Sequence, residues 1–144
     1  MAARDIAVVA TGEKAEVAQV RESGSCVLLI DDDQGLRTLL ECLVRRLGYE
    51  VLAAASGSDA LAVYRKRGGE IDAVLLDLYM PDMDGWTTLE QLRQIDSTIR
   101  VILMSGCDEC EAKTQMPGDT RLGFLHKPFT LSAIRKTLQE TMRA

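Results

Sequence analysis

Residues 75–86, LLDLYMPDMDGW, run from an apolar stretch straight into an aspartate, and then through a proline and two more acids to a glycine. A carboxylate at the end of a strand that reads as fully buried is costly unless a cation or hydrogen bonds hold it there. Asp77 therefore needs a partner, and the rest of the chain has to supply it. The pattern around this stretch repeats. CVLLI (26–30) is a short apolar run, followed by Leu36, Leu39, Leu40, Leu43, Val44 and Leu47 at three- and four-residue spacing. Such spacing lays residues along one helical face. Gly48 closes that helix, YEVLAAA (49–55) is a second strand, and Ser56 with Asp59 starts a helix through about Arg67.

IDAVLLDL (71–78) is the third strand, and the helix after Asp84 carries Trp86, Leu89, Leu92 and Ile95. RVILMS (100–105) is the fourth strand and GFLH (123–126) the fifth, followed by Leu131, Ile134, Leu138 and Met142 on a last helix. Near-continuous apolar strands alternating with amphipathic helices predict a doubly wound α/β domain, a five-stranded parallel sheet covered on both faces. Between the fourth and fifth strands, DECEAKTQMPGDTR (108–121) lacks an apolar stripe and is interrupted by Pro117 and Gly118. A short, mobile helical segment is expected there.

At 144 residues the chain is long enough for one domain with a real core, and no apolar run approaches the roughly 20 residues of a membrane helix. A net charge of −5 without a Lys/Arg cluster argues against direct nucleic-acid binding. The five-residue apolar stretch near the N-terminus is too short for a signal-peptide core, which predicts a cytoplasmic protein with no membrane contact. Residues 1–25, ending in RESGS, read as an N-terminal extension or linker, and residues 26–144 as the domain. Cys26 and Cys42 read as small core residues. CDEC (107–110) lacks the second ligand pair that zinc needs, and reads as a loop with two incidental thiols.

In open α/β sheets ligands bind at the carboxyl ends of the strands. Asp31 and Asp32 follow the first strand, Asp77 ends the third, Ser105 the fourth and Lys127 the fifth. Each has an ordinary structural explanation taken singly, and Asp33 and Asp84 read as helix caps. Their shared sheet edge is what marks the others as a site. Clustered carboxylates repel one another unless a divalent cation offsets them, and Mg²⁺ suits oxygen ligands. A lysine and a hydroxyl opposite them are what a phosphoryl oxygen requires, which leaves one carboxylate as nucleophile for phosphoryl transfer.

VLLIDDDQGLRTLL, LLDLYMPDMDGW, VILMSG and GFLHKPF together resemble, in order and spacing, the motifs of bacterial response-regulator receiver domains, over residues 26–142. The resemblance implies a flavodoxin-like (βα)5 fold with strand order 2-1-3-4-5. It implies a phosphoacceptor in a two-component phosphorelay, not a conventional enzyme. Asp77 would take a phosphoryl group from a histidine of a sensor kinase or phosphotransfer protein. Asp32, Asp77 and the Tyr79 backbone carbonyl would contact Mg²⁺, with Asp31 acting mainly through water. Lys127 would hold a phosphoryl oxygen, Ser105 would bond the attached group, and Phe124 would turn inward as that hydroxyl moves. The triple acid leaves Asp31/Asp32 against Asp32/Asp33 to be decided, and the end of the VLLI strand favours the former. Phe124 departs from the commoner Tyr. The same resemblance allows a phosphorylation-dependent homodimer and a place in a hybrid histidine kinase. No DNA-binding segment follows Arg143, so the output is expected in a downstream effector protein, or the chain is a piece of a larger protein.

Two other readings compete. A phosphorylation-independent pseudo-receiver would be a pure interaction module, which the full set of polar residues disfavours. A haloacid-dehalogenase-like phosphatase needs an acid two residues after the nucleophile, where this chain has Tyr79. A calcium loop fails as well, because with Gly85 as its turn glycine the first ligand would be Met80.

Overall fold

The computed structural model describes residues 25–106 and 118–143. The expected extension up to residue 24, Cys107, Cys110 and most of the segment between the fourth and fifth strands lie outside them. Five strands, β1 (Cys26–Ile30), β2 (Glu50–Ala54), β3 (Ala73–Asp77), β4 (Val101–Ser105) and β5 (Leu122–His126), form one sheet in the order β2-β1-β3-β4-β5. Every pairing is parallel. The helices are α1 (Gln34–Arg46), α2 (Gly57–Arg67), α3 (Gly85–Ile95) and α4 (Leu131–Arg143).

Alternation along the strands divides the core in two. Leu28, Ile30, Val74, Leu76, Val101 and Leu103 pack with Ala60, Leu61 and Tyr64 of α2 and Leu89 and Leu92 of α3. Val27, Leu29, Leu75, Ile102 and Met104 pack with Leu40 and Val44 of α1 and Ile134 and Leu138 of α4. The central strands β1, β3 and β4 are buried along their whole length, whereas the edge strands β2 and β5 are only partly so. Each edge strand has a neighbour on one side only, so continuous apolar character belongs to the middle of the sheet.

The helix boundaries follow the expected signals. Asp33, Ser56 and Asp84 accept from the backbone N–H groups of Leu36, Asp59 and Thr87. Thr130, which carried no reading in the sequence, caps the last helix by accepting from the Ala133 N–H. Gly48, after α1, has φ 101°, a left-handed conformation that suits glycine.

Three positions differ from expectation. Leu39 is 52% exposed because the centre of the buried stripe of α1 runs through Leu40 and Val44. Cys42, on the same helix, is exposed and not a core residue. Ile95 is 40% exposed. Steps of three residues drift by about 60° each on a 3.6-residue helix, so a stripe centred on Leu89 and Leu92 has turned out of the core by Ile95.

Candidate functional site

The strand order reverses between β1 and β3: the chain leaves β1 for β2 on one side and returns to β3 on the other. The pairing that sets Ile30 beside Leu76 brings the next residues, Asp31 and Asp77, to the same point at the carboxyl edge. Asp31 is fully buried, Asp77 is 4% exposed, and Asp32 is open to solvent. One carboxylate oxygen from each of the three lies within 4.8 Å of the others. Asp33 is not among them, since its side chain caps α1. The structure thus brings together Asp31 and Asp32 with Asp77, the pairing favoured from the end of the apolar strand.

β4 and β5 add the opposite wall. Leu78 N–H donates to the Met104 carbonyl at 3.0 Å and Lys127 N–H to the Ser105 carbonyl at 2.8 Å, which aligns the three strand ends. Ser105 is buried. The Lys127 ammonium lies 3.4 Å from Asp77 Oδ1 and 3.9 Å from Asp31 Oδ2. Asp77 Oδ1 also accepts from the Tyr79 N–H at 3.2 Å. Phe124 is half-buried, packs against the α2/α3 side of the sheet, and pairs with Leu103. Ser105 is two residues beyond Leu103, so alternation puts Phe124 on the same face of the sheet as Ser105.

The loop after β3 is held tightly. Gly85 N–H donates to the Leu78 carbonyl at 2.8 Å. A Cβ on Gly85 would stand 2.5 Å from Leu78 Cα and 2.7 Å from the Asp77 carbonyl oxygen, so the start of α3 approaches the end of β3 as only glycine permits.

Burial is the main cause that pushes the Asp31 carboxyl up to about 6. The negative charges of Asp77 and Asp32 add to it, while the Asp33 N–H and the Lys127 ammonium oppose it. Asp31 Oδ1 accepts from the Asp33 N–H at 2.9 Å, but the buried Oδ2 has no hydrogen-bond partner among the described residues. An orphaned carboxylate oxygen beside two further carboxylates, all hard oxygen donors, fits a divalent cation such as Mg²⁺.

One residue of this region escaped the sequence analysis. Arg37, in α1, donates from Nη1 to the Asp31 carbonyl at 2.8 Å. Its sequence signal was a positive charge near the N-terminal end of a helix, where the macrodipole disfavours cations.

A doubly wound parallel sheet with an acid-and-lysine pocket at its switch point defines the class of protein. The chain belongs to the response regulator receiver domain family of two-component systems, whose family model matches residues 27–139. It is 37% identical over 140 residues to Sensor kinase CckA of Brucella abortus, a match that covers 97% of this chain and 15% of that protein. It is 34% identical over 114 residues to Sporulation initiation phosphotransferase F of Bacillus subtilis, covering 79% of this chain and 90% of the relative. Among solved structures, Vibrio cholerae chemotaxis protein CheY4 superposes with TM-score 0.74 at 28% identity, covering 81% of this chain and 98% of the other. The receiver domain of hybrid histidine kinase CckA gives 0.69 at 30% identity, covering 82% and 99%. Among the described residues, no helix is long and apolar enough to cross a membrane.

Proposed function

We propose that this receiver is a working phosphoacceptor, in which Asp77 takes a phosphoryl group from a phosphohistidine of a sensor kinase or phosphotransfer protein. The observation that carries this is the convergence of a nearly buried Asp77 with the Lys127 ammonium at 3.4 Å and with two further carboxylates. An Asp77 oxygen attacks phosphorus in line, the new O–P bond forms as the P–N bond breaks, and the electron pair leaves with the imidazole. Lys127 binds a phosphoryl oxygen, and the Ser105 hydroxyl donates to another once the group is attached. Mg²⁺, when bound, offsets the charge shared by carboxylates and phosphoryl group. Asp32, Asp77 and the Tyr79 carbonyl are the direct ligands proposed for it, and Asp31 the one acting through water.

Movement of Ser105 toward the phosphoryl group frees space on the sheet face that Phe124 shares, and the ring follows. The surface so altered is read by an effector protein or by a second copy of the chain. The match to Sensor kinase CckA spans 140 residues, beyond the span of the family model, which supports a receiver carried by a hybrid kinase, with residues 1–25 as its linker; a cytoplasmic location belongs to the same reading. The test is intact mass after incubation with Mg²⁺ and acetyl phosphate. Wild type gains one phosphoryl group, and Asp77→Asn and chelated wild type gain none. Absence of label on wild type would instead favour a phosphorylation-independent interaction module.

A further inference from the structure

Every backbone group of Asp31 has a partner: its N–H donates to the Ala54 carbonyl at 3.2 Å, and its carbonyl accepts from Arg37 Nη1 at 2.8 Å. The carbonyl oxygen of Asp31 lies in the plane of the peptide bond that joins Asp31 to Asp32. A bond to that oxygen therefore fixes the plane from which both neighbouring carboxylates hang. One turns into the buried pocket and the other stays open to solvent, yet their oxygens meet Asp77 within 4.8 Å.

We infer that Arg37 is a positioning residue for the metal pocket, holding the Asp31–Asp32 peptide so that both carboxylates face the cation. Its bond is to the carbonyl and not to a carboxylate, so it orients the acids without using up their oxygens. Its charge alone would act the other way, because a guanidinium beside a cation site repels the cation. The two effects predict opposite signs for the loss of Arg37, which makes the inference testable. It rests on the metal-and-phosphoryl reading of the site.

Arg37→Met keeps an unbranched apolar stem and helix propensity but removes the donor, whereas Arg37→Lys retains a donor and the charge. Mg²⁺ affinity is measured by titrating amide chemical shifts, and hydrogen exchange of the Asp33 amide is followed in the metal-free protein. Removal of a supporting group around a metal site typically weakens binding roughly 10- to 100-fold, so Arg37→Met should lose about tenfold in Mg²⁺ affinity and Arg37→Lys should recover most of it. The Asp33 amide, bonded to Asp31 Oδ1, should exchange faster in Arg37→Met while the Leu76 amide in the central strand does not. Unchanged or tighter Mg²⁺ binding in a folded Arg37→Met, with Asp33 still protected, overturns the inference. Should that variant unfold, Arg37→Gln, whose shorter amide falls short of the carbonyl, is read the same way. Acetyl phosphate labelling separates the two proposals. Wild type that binds Mg²⁺ with the Arg37 dependence but takes no label overturns the phosphoacceptor reading and leaves Arg37 its role. Labelled wild type with a Mg²⁺ affinity indifferent to Arg37 does the reverse, and wild type that binds no Mg²⁺ overturns both.

Discussion

Asp31 is the most deeply buried of the pocket's polar residues. Its carboxyl, pushed from an ordinary value of 3.8 up to about 6, holds its proton in the folded chain over a range where the unfolded chain has released it. The stabilising contribution is full below about pH 3.8 and is lost as pH rises through about 6. Denaturant midpoints of metal-free protein between pH 4 and 7 should fall more steeply in wild type than in Asp31→Asn, by a difference on the order of 2 kcal/mol across the window. Mg²⁺ bound as proposed would reverse the preference, since a cation favours the ionised form. Its affinity should weaken as pH is lowered through about 6, and that dependence should disappear in Asp31→Asn. Ser105 gives a second test at this scale. Ser105→Ala should still be labelled at Asp77 but should lose the phosphorylation-dependent change in the surroundings of Phe124, which fluorine NMR of a labelled ring would follow.

At the scale of elements, the start of α3 is the part that tolerates least change. Gly85→Ala should cost about 1–3 kcal/mol, because its Cβ meets backbone atoms of β3 that cannot move without moving Asp77, and labelling should slow with it. Asp84→Ala removes only the cap on Thr87 and should cost about 1 kcal/mol while leaving labelling intact. Thermal unfolding and labelling rates on the two variants separate support of the helix from support of the site. These elements were legible in the sequence because their signals are local: Asp33, Ser56 and Asp84 cap as read, and the apolar runs of β1, β3 and β4 are buried throughout. The acids and Lys127 were legible as a cluster because parallel strands put all their carboxyl ends on one edge. Arg37 was not, because its role lies in a bond to a carbonyl, and a carbonyl has no letter in the sequence. Nor was the exposure of Leu39 and Ile95, which depends on how each helix is rotated against the sheet.

For the whole molecule, three clustered carboxylates imply that a cation bound among them, as proposed, stabilises the fold. Mg²⁺ at 100 times its dissociation constant should add about 2.7 kcal/mol to the unfolding free energy, and Asp32→Ala should abolish that increment with little effect on metal-free stability, since Asp32 is exposed. Denaturant titration with and without Mg²⁺ measures both. The path of α4 carries another consequence. It begins near the pocket, after Lys127, and runs back along the sheet until Thr141 Oγ1 lies against Gly123, near the amino end of β5. Cys26, where β1 starts, belongs to that same amino edge. Both ends of the described module therefore lie on the side opposite the pocket, as with a plug whose two wires exit at the back. The socket thus opens on the edge of the sheet away from both Ser25 and Arg143, the two ends of the described residues.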